Sequence, residues 1–127
     1  MAPQIPADMA VEIVARMTDG VSMWDREWHC VFVNERGAAL LGRRQEDLLG
    51  THLEEEFADY AGSTFQETYA RAVLEGRPAQ FEAYVKPWDR WFENRVFPSD
   101  DGLLVFFTDV TDRRRAETAL RQSESRR

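Results

Sequence analysis

The chain has 127 residues, 43% of them hydrophobic and 12% aromatic, enough for one domain with a packed core. No apolar run approaches the roughly 20 residues of a membrane helix, no charged-then-apolar leader opens the chain, and the lone Cys30 excludes an internal disulfide or a cysteine metal cluster; the location expected from this is the cytoplasm. The net charge of −7 is uneven, because six arginines against two glutamates between Arg113 and Arg127 make the tail +4 and leave −11 on residues 1–112. An acidic body argues against a nucleic-acid surface, which needs a basic patch, and the arginines of the tail read as a solvated helix face.

Along the chain, Ala10, Ile13, Val14 and Met17 form a helical stripe in a short segment from Ala7 to Met17, which must bury that stripe against something. Val21 to Trp24 and Val31 to Val33 are strand candidates joined by the polar turn Asp25 to Trp28. Asn34 is placed to cap a helix from Glu35 to Leu41 that stops at Gly42, and a further helical turn from Gln45 to Leu49 stops at Gly50. Ser63-Thr64-Phe65-Gln66 has the form of a capping box, so a longer helix is expected from Thr64 to Glu75, ending at Gly76, with Phe65, Tyr69, Ala72 and Val73 on one face. Three strands follow: Ala79 to Lys86 ending at Pro87, Arg90 to Phe97 ending at Pro98, and an apolar run opened by Gly102 after the Ser99-Asp100-Asp101 turn. Thr111 then supplies an N-cap oxygen, and Asp112 a favourable charge, for a C-terminal helix.

Groups that often carry chemistry have weak spacing here. Glu54, Glu55, Glu56 and Asp59 are dense, but three consecutive acids cannot face one pocket, and a solvated loop is expected. His29 and Cys30 are strand neighbours and point to opposite faces. His29 and His52 do not stand at helical ligand spacing, so no metal is expected. Neither a phosphate loop nor a nucleophile elbow is present, and no catalytic residue is assigned.

The ending Asp109-Val110-Thr111-Asp112-Arg113-Arg114-Arg115-Ala116-Glu117 resembles the D-[IV]-T-E-R-K-x-A-E ending of PAS domains, the small sensory modules of bacterial signalling proteins. V-F-V-N-E-R-G-A-A-L-L-G followed by E-D-L-L-G is similar to the family's Asn-containing block, and R-W-F-E-N-R-V-F-P-S-D-D-G resembles its Trp-to-Pro-to-Gly strand pair. Arg44 departs from the Ser or Thr cap common before E-D-L-L-G, a loss of at most about 1 kcal/mol. The resemblance implies an α+β fold, a five-stranded antiparallel sheet with helices on one face. It divides the chain into an N-terminal cap helix over 1–18, the PAS domain over 19–111 and the start of a helical signalling linker over 112–127.

It also implies a function: a non-enzymatic sensory and dimerisation module of a signal-transduction protein, a sensor histidine kinase or a relative in a two-component system. Flavin and haem are disfavoured, because the flavin N-C-R motif is replaced by A-D-Y-A-G-S and the long helix carries no His; a small organic ligand bound without covalent chemistry, or no ligand, is what remains. By the same resemblance the residue after the strand's Trp faces the pocket, which selects Phe92, Asn94 and Val96, and turns Leu103, Val105 and Phe107 inward. Tyr69, a water or a ligand would satisfy Asn94, and the ligand set is Tyr69, Phe92, Asn94, Val105 and Phe107. A filled core with Asn94 satisfied by protein is the competing arrangement. Trp91, Phe97, Leu104 and Phe106 would face out as an apolar patch, covered by the first helix through Ile13 and Met17, by a second copy, or by both. Asp109, Thr111 and Arg113 are the expected signal-transfer residues, with Arg113 as the candidate partner of Asp109. The partners expected are a second copy and an output domain further along a longer chain, with neither nucleic acid nor membrane. The alternatives are a ligand-free interaction PAS domain and a ketosteroid-isomerase-like enzyme with Glu82 or Asp109 as an inward base, against which the charged C-terminal helix speaks.

Overall fold

A computed structural model describes residues 19–56 and 64–125. The Ala7 to Met17 helix and its Ile13 and Met17 lie outside the described residues, as do Asp59 and Ser63 of the acidic loop and the capping box. Strands β1 (Gly20–Asp25), β2 (Cys30–Val33), β3 (Ala79–Val85), β4 (Arg90–Ser99) and β5 (Gly102–Asp109) form one antiparallel sheet in the order β2-β1-β5-β4-β3. Between β2 and β3 lie α1 (Glu35–Leu40), α2 (Gln45–Leu48), α3 (Leu53–Glu56) and α4 (Thr64–Glu75); α5 (Thr111–Ser125) follows β5.

The period-two alternation of the strands sorts the sheet into two faces. Phe92, Asn94 and Val96 of β4 pair with Asp109, Phe107 and Val105 of β5, and with Trp24, Val85, Leu103 and Tyr69 they belong to the buried core. Trp91, Glu93, Arg95 and Phe97 occupy the opposite face. The helices α1 to α4 cover the inner face through Ala38, Leu48, Leu53, Tyr69 and Ala72. Val73 does not share in this: it is 44% exposed, because Tyr69 and Ala72 fill the narrow contact stripe of α4.

Asn34 does more than cap. Its Oδ1 accepts from Gly37 N at 2.7 Å, the cap bond, and from Val21 N at 2.9 Å, while its Nδ2 donates to Asp19 O at 3.1 Å. One fully buried amide thus ties α1 to β1 and to the chain entering the sheet. Arg44, by contrast, caps α2 without a side-chain bond and pairs with Asp47 instead.

Several boundaries differ from expectation by a residue or two, and three of them bear on the sheet and its exit. Strand β3 stops at Val85, and Lys86–Trp88 form a 3-10 turn around Pro87. Strand β4 runs through Pro98 to Ser99; β3 pairs only as far as Val96, so the N–H that Pro98 lacks faces no neighbour. The helix α5 starts at Thr111, one residue early. At the β4–β5 hairpin, Gly102 has φ +146, and a Cβ there would overlap the Trp24 carbonyl of β1, so only glycine lets β5 pair at this corner.

Candidate functional site

The inner face of β4 and β5 brings together the residues expected to line a pocket. Phe92 and Phe107 stand edge to face with centroids 6.5 Å apart, and Val105 pairs with Val96. The Tyr69 hydroxyl of α4 donates to Asn94 Oδ1 at 2.7 Å. Burial pushes the Tyr69 phenol well above its ordinary range, so it stays protonated and remains a donor. Asn94 is 3% exposed and its Nδ2 has no hydrogen-bond partner among the described residues. An unmade bond of this kind costs about 1–3 kcal/mol. Phe65, Tyr69 and Phe81 form an aromatic trio beside the pair, with centroids 5.4 to 6.4 Å apart.

A separate open cleft of about 430 Å³ lies at the β1–β2 turn and the β4–β5 hairpin, lined among others by Arg26, Trp28, Val73, Ser99 and Asp100. Leu103 belongs to both this cleft and the buried core, and Trp28 lines the one and packs against the other. His29 and His52 face each other across an isolated bridge with ring centroids 5.3 Å apart. No group of three metal-ligating side chains occurs among the described residues, and no helix among them is long and apolar enough to cross a membrane.

At the exit from the sheet the roles are redistributed. Thr111 Oγ1 does not cap α5; it accepts from Trp91 N at 2.8 Å, and Asp109 Oδ1 accepts from Thr111 N at 2.9 Å in its place. Val110 N donates to Trp91 O at 2.8 Å, extending the β4–β5 ladder into the junction. The cation beside Asp109 is Arg90 at 3.6 Å, because Arg113 points away to Glu82 at 2.8 Å. Glu82 also receives Arg114 at 2.9 Å, and these two guanidinium groups hold its carboxyl below the usual range. Glu82 stands opposite Glu93 on the outer face, so it is no inward base of the kind an isomerase would need. Three of the tail arginines, Arg113, Arg114 and Arg115, are therefore not a plain solvated face: Arg114 also lies 3.6 Å over the Trp91 ring and Arg115 pairs with Asp89 at 3.0 Å.

The outward apolar set is split by this packing. Trp91 lies under Arg114 and against Tyr84. Phe97, 40% exposed, packs edge to face on Phe106 at 5.7 Å, and Leu104 pairs with Phe97 across the ladder. Sequence reasoning missed Glu82, Asp89 and Arg90 as partners of the junction. The only signal was Glu82 at a strand position of outward phase; Arg90 shares the phase of inward Phe92, and Asp89 lies in the turn before β4.

The comparisons with known proteins agree with this geometry. The family model described as PAS fold matches residues 14–115. Among solved structures, a domain of an HTR-like protein from Haloarcula marismortui is 24% identical, with a TM-score of 0.63 over 75% of this chain and 100% of that one. A sensory box sensor histidine kinase from Vibrio cholerae is 18% identical, with a TM-score of 0.62 over 81% and 90%. A PAS domain from Colwellia psychrerythraea is 16% identical, with a TM-score of 0.64 over 83% and 97%. No curated protein matches the chain. The sheet order, the inner-face core and the matched span of 102 residues lead to one assignment: the chain belongs to the PAS family, with a fold similar to that of PAS domains from sensor histidine kinases.

Proposed function

We propose that this chain is the sensory and dimerisation module of a cytoplasmic signal-transduction protein of the sensor-kinase type. Residues 19–111 would sense, and residues 112–127 would open a helical linker to an output domain. The observation that carries the reading is the Tyr69–Asn94 pair: a buried amide whose Nδ2 has no partner among the described residues, set among Phe92, Val105 and Phe107 on the inner face of the strands that hand over to α5. A carbonyl, carboxylate or hydroxyl on a small organic ligand would satisfy Nδ2, and the gain from closing that bond would bias the sheet toward one arrangement. Asp109, Thr111 and Arg113 would pass the change to α5, and Phe97, Leu104 and Phe106 would meet the same face of a second copy.

A ligand-free interaction module is the second reading, favoured by the close packing of Val96 and Val105, which are 0% and 1% exposed. Replacing Asn94 with Leu separates the two. The sensor reading expects Asn94→Leu to stay dimeric and lose a small-molecule mass that the parent chain retains. A higher melting temperature with unchanged dimerisation and unchanged mass would make Asn94 an idle core position.

A further inference from the structure

Three consecutive arginines are a poor solvated stripe and a poor coiled-coil seam, since successive helical residues point about 100° apart. Arg113, Arg114 and Arg115 nevertheless all find partners, and apart from Glu117, which takes Arg113 at 3.5 Å within the helix, those partners fall within the ten residues from Glu82 to Trp91, the end of the β3–β4 hairpin. Glu82 Oε1 takes Arg113 and Arg114 at 2.8 and 2.9 Å. The Asp89 carboxylate takes Arg115 at 3.0 Å and accepts the Tyr84 hydroxyl at 2.6 Å, which braces the turn. Asp89 has φ +51, so the turn presents its carboxylate from a left-handed backbone. Trp91 lies beneath Arg114, and its backbone N–H and C=O bond to Thr111 and Val110. Apolar burial adds little, because Leu120 is 62% exposed and Ala116 and Ala119 are exposed.

We infer that α5 is gripped ionically by the β3–β4 hairpin, with Glu82 as the central positioning residue, so that the output helix follows this hairpin rather than the end of β5. The inference gives a route for the signalling reading proposed above and rests on that reading for its use. The inner side of the same hairpin carries Phe81, which packs on Tyr69, and Phe92; a hairpin shifted from within would carry the helix with it. An ionic grip is also screened by salt, as an apolar seam is not.

Amide hydrogen exchange of the full chain tests this. At 20 mM NaCl, Glu82→Gln is expected to speed exchange of the α5 amides from Arg114 to Arg121 by about threefold to tenfold, with the β4 and β5 amides unchanged as the check on folding. Raising NaCl to 0.5 M, where the Debye length falls to about 4 Å, should loosen α5 in the parent chain and loosen it less in the variant, which keeps only the Arg115–Asp89 pair to the hairpin. The pair Arg113→Gln with Arg114→Gln should loosen α5 at least as much as Glu82→Gln, and the three substitutions together should do less than the sum of their separate effects. Parent-like exchange in Glu82→Gln, an undiminished salt response in that variant, or additive effects of the three substitutions would overturn the grip. A chain that binds no ligand would still show the expected pattern, so failure of the sensor reading and failure of the grip are told apart.

Discussion

The two faces of the sheet are built by different physics. On the inner face Val96, Val105, Phe92 and Phe107 are 6% exposed or less, and the polar groups are short and few. On the outer face the contacts are long and charged: Asp19 joins Arg95 at 3.0 Å and Thr108 at 2.7 Å, and Arg113 and Arg114 converge on Glu82. Area-driven packing is strong, undirected and indifferent to salt, whereas exposed ion pairs are individually weak, directed and sensitive to salt and acid. The first suits a core that must hold and the second suits a contact that must be able to change. The stiff side therefore carries the fold, and the adjustable side carries the helix.

The largest expected effect breaks the comparison at its strong end. Phe107→Ala removes a buried ring that packs on Phe92 and should cost about 3–5 kcal/mol, while Phe97→Ala on the outer face should cost less than about 1 kcal/mol in the monomer and weaken dimerisation instead. Chemical denaturation with analytical ultracentrifugation reads both; equal losses of folding stability would erase the distinction between faces.

A smaller effect sharpens it within the core. Tyr69→Phe keeps the ring and removes the donor to Asn94 Oδ1, which leaves both ends of a buried amide without a partner among the described residues and should cost about 1–2 kcal/mol. An unchanged melting temperature would mean that the amide is satisfied in some other way.

The smallest effect acts on the outer face alone. Glu82 is held below its ordinary range first by the hydrogen bond from Arg113, and Asp89 first by the hydroxyl of Tyr84. Carboxylates depressed in the folded chain contribute stability above their unfolded values, near 4, and lose it as pH falls through the lower folded values. Below about pH 4 the helix α5 should therefore loosen before the inner face does. Far-UV circular dichroism should fall while the environment of buried Trp24 is retained, and simultaneous loss of both signals would contradict the division.

This division also explains what the sequence revealed. Element order and the five strands were legible, because alternation and glycine or proline punctuation act locally; alternation also grouped Phe92 with Asn94 and Val96, and Leu103 with Val105 and Phe107, but it was the family resemblance that said these faces turn inward. The Tyr69 to Asn94 contact was legible as one of three partners, since a buried amide demands one. The continuation of β4 through Pro98 was not, because it depends on where β3 begins. The partners of Arg113, Arg114 and Arg115 were not either: Glu82 and Asp89 lie 31 and 26 positions away from Arg113 and Arg115, and charge carries no period that fixes which acid meets which base. Asn34 showed its cap but not its bonds to Val21 and Asp19, for the same reason.

A native mass spectrum of the purified 127-residue chain, set beside its denatured mass, tests the central claim most directly. The account predicts a dimer heavier than twice the 14.8 kDa chain by a small organic molecule that is lost on denaturation. A bare monomer at the mass of the sequence would contradict it.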